Sequence, residues 1–231
     1  MRIFNADSPL MEGLSKITDL VILNLLVLVC CLPVITAGAA FTGMHYVLLK
    51  MARNEEGYIV RSYFKSFKEN FAQATGMWIL FLLAGAVCIL DLRLTGGGAG
   101  TSVQLPALVR YLLIAGGVYI FMVFLYAFPL LARFNNTVLG TLRNAAVLTA
   151  ASFPRTIGMA LVSILFPLVV VLFRPILPLL VLLGFTGPAY VCALLYSPVF
   201  KKIEANAGGV EANAGGVEAS AGEKEADAGE K

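Results

Sequence analysis

Charge is scarce in this chain. Only 13% of its 231 residues are Asp, Glu, Lys or Arg, against roughly 25% in ordinary soluble domains, while 59% are apolar. A mean hydropathy of +0.85 cannot be hidden in one water-soluble core, because a domain of this size would leave large apolar patches wet. That excludes a soluble globular enzyme and leaves the bilayer as the solvent. Histidine is scarcer still, with His45 the only one. The four cysteines, Cys30, Cys31, Cys88 and Cys192, lie inside apolar stretches without metal-ligand spacing. A zinc or haem site therefore lacks ligands, no metal or cofactor is expected, and the cysteines read as small buried hydrophobes. There is no Ser/His/Asp set, no nucleotide loop and no acid–base carboxylate pair. No catalytic residue is assigned, and enzyme is the least supported class.

What is present is a succession of apolar runs, at residues 17–33, 34–51, 75–92, 111–132, 156–173 and 175–198. The first two are near the ~17-residue lower limit for spanning and are separated by the Pro33 to Gly38 break. They read as two short spans, with a re-entrant hairpin as the alternative. A signal peptide is not expected, because Asp7 and Glu12 cancel Arg2 and Lys16. The expected fold is an all-α polytopic membrane helical bundle of about six transmembrane helices over residues 1–202.

The net charge of +3 joins two opposite parts: residues 1–202 hold 15 Lys/Arg against 7 Asp/Glu, and residues 203–231 hold 2 against 7. The basic excess is topological information and attraction to anionic lipid, and no nucleic-acid surface is expected. Successive loops carry 5, 2, 3, 1 and 2 basic residues. Placing the loops with 5, 3 and 2 in the cytoplasm satisfies the positive-inside rule and puts both termini inside. The glycine-rich loop at 96–102 then faces outward, and no GK[ST] follows to make it a phosphate loop. From Glu204 the chain reads EANAGGV, EANAGGV, EASAGEK, EADAGEK. This seven-residue repeat lacks the Leu or Ile of a coiled-coil seam and is rich in Gly, so residues 203–231 are expected to be a disordered acidic tail.

The loop from Met51 to Thr75 is the most informative segment. As a helix it places Arg61, Lys65 and Lys68 on one face and Val60, Phe64, Phe67 and Phe71 on a neighbouring apolar stripe. Such a helix suits the membrane interface, with its cations at anionic headgroups, or a docking surface for a cytoplasmic partner. The segment Phe134 to Pro154 is a milder version, FKSFKEN against LGTLRNA, which raises an internal repeat. Among intramembrane polar residues, His45 is a possible proton relay or bonds a neighbouring carbonyl. Asp19 fits a helix N-cap or a partner for Lys16, and Asn24 and Thr186 interrupt otherwise apolar spans. The breaks at Pro33 and Gly38, and at Pro178, Gly184, Gly187 and Pro188, either free backbone for a substrate site or serve packing.

Five stretches together carry a resemblance: NADSPL at 5–10, DLVILNLLVLVCCLPVITAG at 19–38, EEGYIVRSYFKSFKENFAQAT at 55–75, FNNTVLGTLRNA at 134–145 and FPRTIG at 153–158. In order and spacing they resemble the YesL-type family of small bacterial multi-span membrane proteins of unknown function, over roughly residues 1–200. The repeat tail departs from that pattern. The resemblance implies a bacterial cell-membrane protein, often encoded near carbohydrate-uptake and two-component genes, and it carries over no catalytic residue. Two functional classes follow. One is an accessory or permease-like component of carbohydrate transport, meeting transporter subunits through the Arg61–Phe71 segment. The other is a structural or regulatory membrane protein that translocates nothing itself.

Overall fold

The computed structural model describes residues 9–55, 57–95, 107–134, 136–172, 178 and 182–205. Among them there are helices and no strand: α1 (Pro9–Cys31), α2 (Ala37–Ala52), α3 (Ile59–Glu69), α4 (Phe71–Thr95), α5 (Ala107–Arg133), α6 (Val138–Ala151) and α7 (Phe153–Leu172). A last helix, α8, covers residues 186–205. The expected all-α helical bundle is therefore what forms. The glycine-rich loop and the repeats after residue 205 lie outside the described residues. Ile203 and Glu204, assigned to the tail from sequence, continue α8 instead.

Four stretches are long and apolar enough to cross a membrane: Gly13–Cys31, Val34–Ala52, Phe71–Arg93 and Leu108–Arg133. Helices α6 and α7 reach that standard only together and meet at 102°, so they add at most a fifth crossing. The sixth expected run, 175–198, falls partly outside the described residues. On α4, Leu83, Val87, Ile89 and Leu90 are all more than half exposed. Water would not tolerate such a surface on a folded domain, whereas lipid chains cover it without cost.

The α1–α2 junction shows how a break survives in an apolar medium. Pro33 ends the first run, and Val34–Thr36 form one 3-10 turn. Backbone groups freed there are satisfied by side chains: the Trp78 indole Nε1 donates to the Val34 carbonyl at 2.8 Å, and the Thr36 hydroxyl lies against the Cys30 and Pro33 carbonyls. Gly38, grouped with the break from sequence, lies within α2. A Cβ there would stand 2.4 Å from the Ala74 carbonyl oxygen and 2.6 Å from Trp78 Cβ, so it permits the close approach of α2 and α4.

Helix α2 is the hub, packing against α1, α3, α4 and α5, and α5 packs on α6 and α7. The order long helix, short helix, long helix thus occurs twice, as α2–α3–α4 and as α5–α6–α7. Ser66 on α3 and Thr141 on α6, aligned by the FKSFKEN and LGTLRNA correspondence, are both buried. Between the long helices, Phe41, Trp78, Phe81, Phe124 and Phe128 form edge-on and tilted ring pairs at 5.1–6.3 Å.

Candidate functional site

The expected amphipathic segment is present but shorter and differently seated. Asn70 ends α3, its backbone N–H and its side-chain amide both reaching the Ser66 carbonyl at 3.1 Å, and Phe71 opens α4. The stripe from Val60 to Phe71 is therefore split between two helices. The face of α3 that is buried carries Tyr63 and Ser66, which sequence reasoning did not select. Tyr63 lies over Gly43 of α2, where a Cβ would come within 3.1 Å of its ring and its carbonyl. Tyr63 in turn stacks with Phe67 at 6.1 Å and meets Phe64 edge-on at 5.4 Å. With that side fixed, Arg61, Phe64, Lys65 and Lys68 are exposed. They line a shallow surface depression together with Tyr58 and Val60.

At the same end of the bundle lies a cluster absent from the sequence reading. Arg53, just past α2, places both terminal nitrogens on the Glu204 carboxylate at 3.0 and 3.1 Å. Arg133, ending α5, donates through Nε to the same carboxylate at 2.7 Å. The Arg53 side chain is only 5% exposed. Burial alone would raise the Glu204 carboxyl, but the hydrogen bonds from Arg133 and Arg53 outweigh it and hold the group below its ordinary range. Lys16 of α1 donates to Asn54 Oδ1 nearby, at 3.1 Å. The start of α1 and the ends of α2, α5 and α8 therefore share one side, as the alternation of basic loops requires. Each arginine follows an Ala at the C-terminal end of a long helix, Ala52–Arg53 at α2 and Ala132–Arg133 at α5, which is the local signal the two share.

The intramembrane polar residues sort clearly. Asn24 is fully buried, and its Oδ1 accepts from the backbone N–H groups of Phe185 and Thr186 at 3.0 and 3.2 Å. The Thr186 hydroxyl donates to the Leu20 carbonyl at 3.0 Å. Two residues distant in sequence thus meet, and Asn24 of α1 caps the start of α8 from outside it. His45 bonds the Tyr196 hydroxyl of α8 through Nδ1 at 3.2 Å, not a neighbouring carbonyl. Asp19 lies well inside α1, which begins at Pro9, so it cannot be an N-cap, and no described contact links it to the other three.

Between α2, α5, α7 and α8 is a chamber of about 390 Å³. His45 and Ser163 lie on its wall among apolar side chains, and Ser163 Oγ is 3.7 Å from Cys192 Sγ.

Fold and surface define an integral membrane protein: an all-α bundle with apolar flanks and its described ion pairs gathered at one end. Residues 20–92 match the model of a family described as a protein of unknown function, DUF624. The match takes in Asn24, His45, Arg53 and the α3 cations, and stops short of Arg133, Thr186, Tyr196 and Glu204. Neither curated proteins nor solved structures gave a match.

Proposed function

We propose that this is an accessory component of a bacterial cell membrane that assists carbohydrate uptake by docking a transport assembly through α3, without itself carrying sugar or catalysing a reaction. Both termini are cytoplasmic in this reading, since the basic loops share one side and anionic lipid and cytoplasmic partners lie there. The carbohydrate association rests on the resemblance to YesL-type proteins. One observation carries the docking role: Arg61, Phe64, Lys65 and Lys68 are exposed on a helix whose other face is locked to α2 by Tyr63 over Gly43. A pre-fixed cationic and aromatic surface binds without first ordering a loop.

Two of the described helix breaks support the non-carrier reading. A carrier built on interrupted helices needs freed backbone groups to hold cargo. Here Trp78 and Thr36 occupy those at the α1–α2 turn, and Asn24 occupies those at the start of α8.

The test is cross-linking in native membranes followed by purification and mass spectrometry, with wild type beside Arg61→Glu, Lys65→Glu, Lys68→Glu. Recovery of transporter subunits with wild type and their loss from the triple variant is the expected result. An unchanged partner profile discards docking. The same depression, with Tyr58 and Phe64 beside three cations, favours a second reading in which the occupant is anionic lipid headgroups. In that case the triple variant loses salt-sensitive binding to anionic vesicles while its protein partners stay.

A further inference from the structure

The chamber between α2, α5, α7 and α8 is separate from the α3 surface and takes no part in the docking role. Its wall includes the rings of Phe41, Phe121, Phe124, Phe128 and Phe185. Its volume, about 390 Å³, lies in the range of small-molecule sites, roughly 300–1,000 Å³. Gly184 and Pro188, at the start of α8, and Pro167 of α7 also border it. These helix irregularities therefore help shape this space.

Chemistry narrows the occupant. No Lys, Arg, Asp or Glu is among the described lining residues, so a charged head would be left uncompensated in an apolar surround. A sugar fails for a related reason. Each of its many hydroxyls needs a partner when buried, and the polar side chains on the wall, besides the Cys192 thiol, are His45 and Ser163. His45 already uses Nδ1 on Tyr196, which fixes its ring and leaves Nε2 for a ligand. A fixed imidazole nitrogen at one point of an aromatic-lined space suits a long apolar body with a single uncharged hydroxyl.

We propose that this chamber is a binding site for a neutral, hydroxyl-headed lipid, such as a long-chain or prenyl alcohol, with its hydroxyl on His45 and its chain among the phenylalanine rings. The hydroxyl and imidazole exchange one hydrogen bond, and no covalent step is involved.

The test uses the full chain in vesicles with a photoactivatable long-chain alcohol carrying a diazirine, mapped by peptide mass spectrometry and competed with unlabelled alcohol. Saturable labelling within residues 121–128 and 184–192 is expected, and a fatty-acid probe of the same length, ionised at neutral pH, should label the site less. His45→Leu should weaken saturable labelling by roughly two- to tenfold, the range of one hydrogen bond. His45→Gln, which keeps a polar nitrogen and oxygen, should recover part of it and shows that loss in the leucine variant is not misfolding. Labelling that never saturates and falls equally on Leu83, Val87 and Leu90 of α4 overturns the proposal, because those residues report bulk lipid. Equal saturable labelling of wild type and His45→Leu overturns the assignment of the head to His45.

Discussion

Replacing Asn24 by Ala tests the central structural claim, that α1 supplies the cap of α8. The substitution removes the acceptor for two backbone N–H groups, those of Phe185 and Thr186. The Thr186 hydroxyl also lies 3.5 Å from Asn24 Oδ1, but its one proton goes to the Leu20 carbonyl at 3.0 Å, so that contact is not counted. Hydrogen bonds between membrane helices average about 0.6 and reach about 1.7 kcal/mol each. Two of them give about 1–3 kcal/mol, in line with the ~0.5–2 kcal/mol cost of losing a helix cap. For a chain of this length, each kcal/mol moves the unfolding midpoint by roughly 2–4 °C. Thermal unfolding of purified protein in a mild detergent should therefore fall by roughly 2–12 °C. A fall under about 1 °C for Asn24→Ala would refute the capping argument.

Three further outcomes follow from the same geometry. Glu204→Gln should destabilise the bundle at neutral pH by about 1–3 kcal/mol, the worth of a partly exposed charge-assisted pair and less than a fully buried one, as read by the same unfolding assay. Because the folded carboxyl is held below its ordinary value, wild type should keep this contribution above about pH 5 and lose it as acid protonates the folded group, while the Gln variant shows no such loss from this site. Gly38→Ala should cost about 1–3 kcal/mol through the clash with Ala74 and Trp78, whereas Gly76→Ala, with open space around it, should be neutral or stabilising by up to ~1 kcal/mol. The Arg61, Lys65 and Lys68 charge reversal should leave the unfolding midpoint nearly unchanged, since all three side chains are exposed, while abolishing the association measured by cross-linking.

Composition and run length alone dictated that this chain is helical and membrane-embedded. A 20-residue apolar stretch has few ways to satisfy its backbone in lipid, so spans such as Phe71–Arg93 and Leu108–Arg133 are legible to within a few residues. The alternation of basic loops likewise announced that Arg53, Arg133 and the end of α8 share a side. The cationic face of α3 could be read from the spacing of Arg61, Lys65 and Lys68, because i, i+4, i+7 is a property of any helix. Which side of α3 is buried could not be read that way. A phenylalanine stripe points to burial on average, yet Gly43 offers a seat to Tyr63 and leaves Phe64 outside. Asn24 and Thr186, 162 residues apart, each look like an isolated polar blemish in an apolar run, and only their meeting makes one the cap of the other's helix. The Arg53–Glu204–Arg133 cluster and the His45–Tyr196 pair are of the same kind. Local sequence specifies which backbone groups a segment must satisfy, whereas the identity of a distant partner is set by how the helices pack, and pairwise packing in lipid leaves no periodic mark on the sequence.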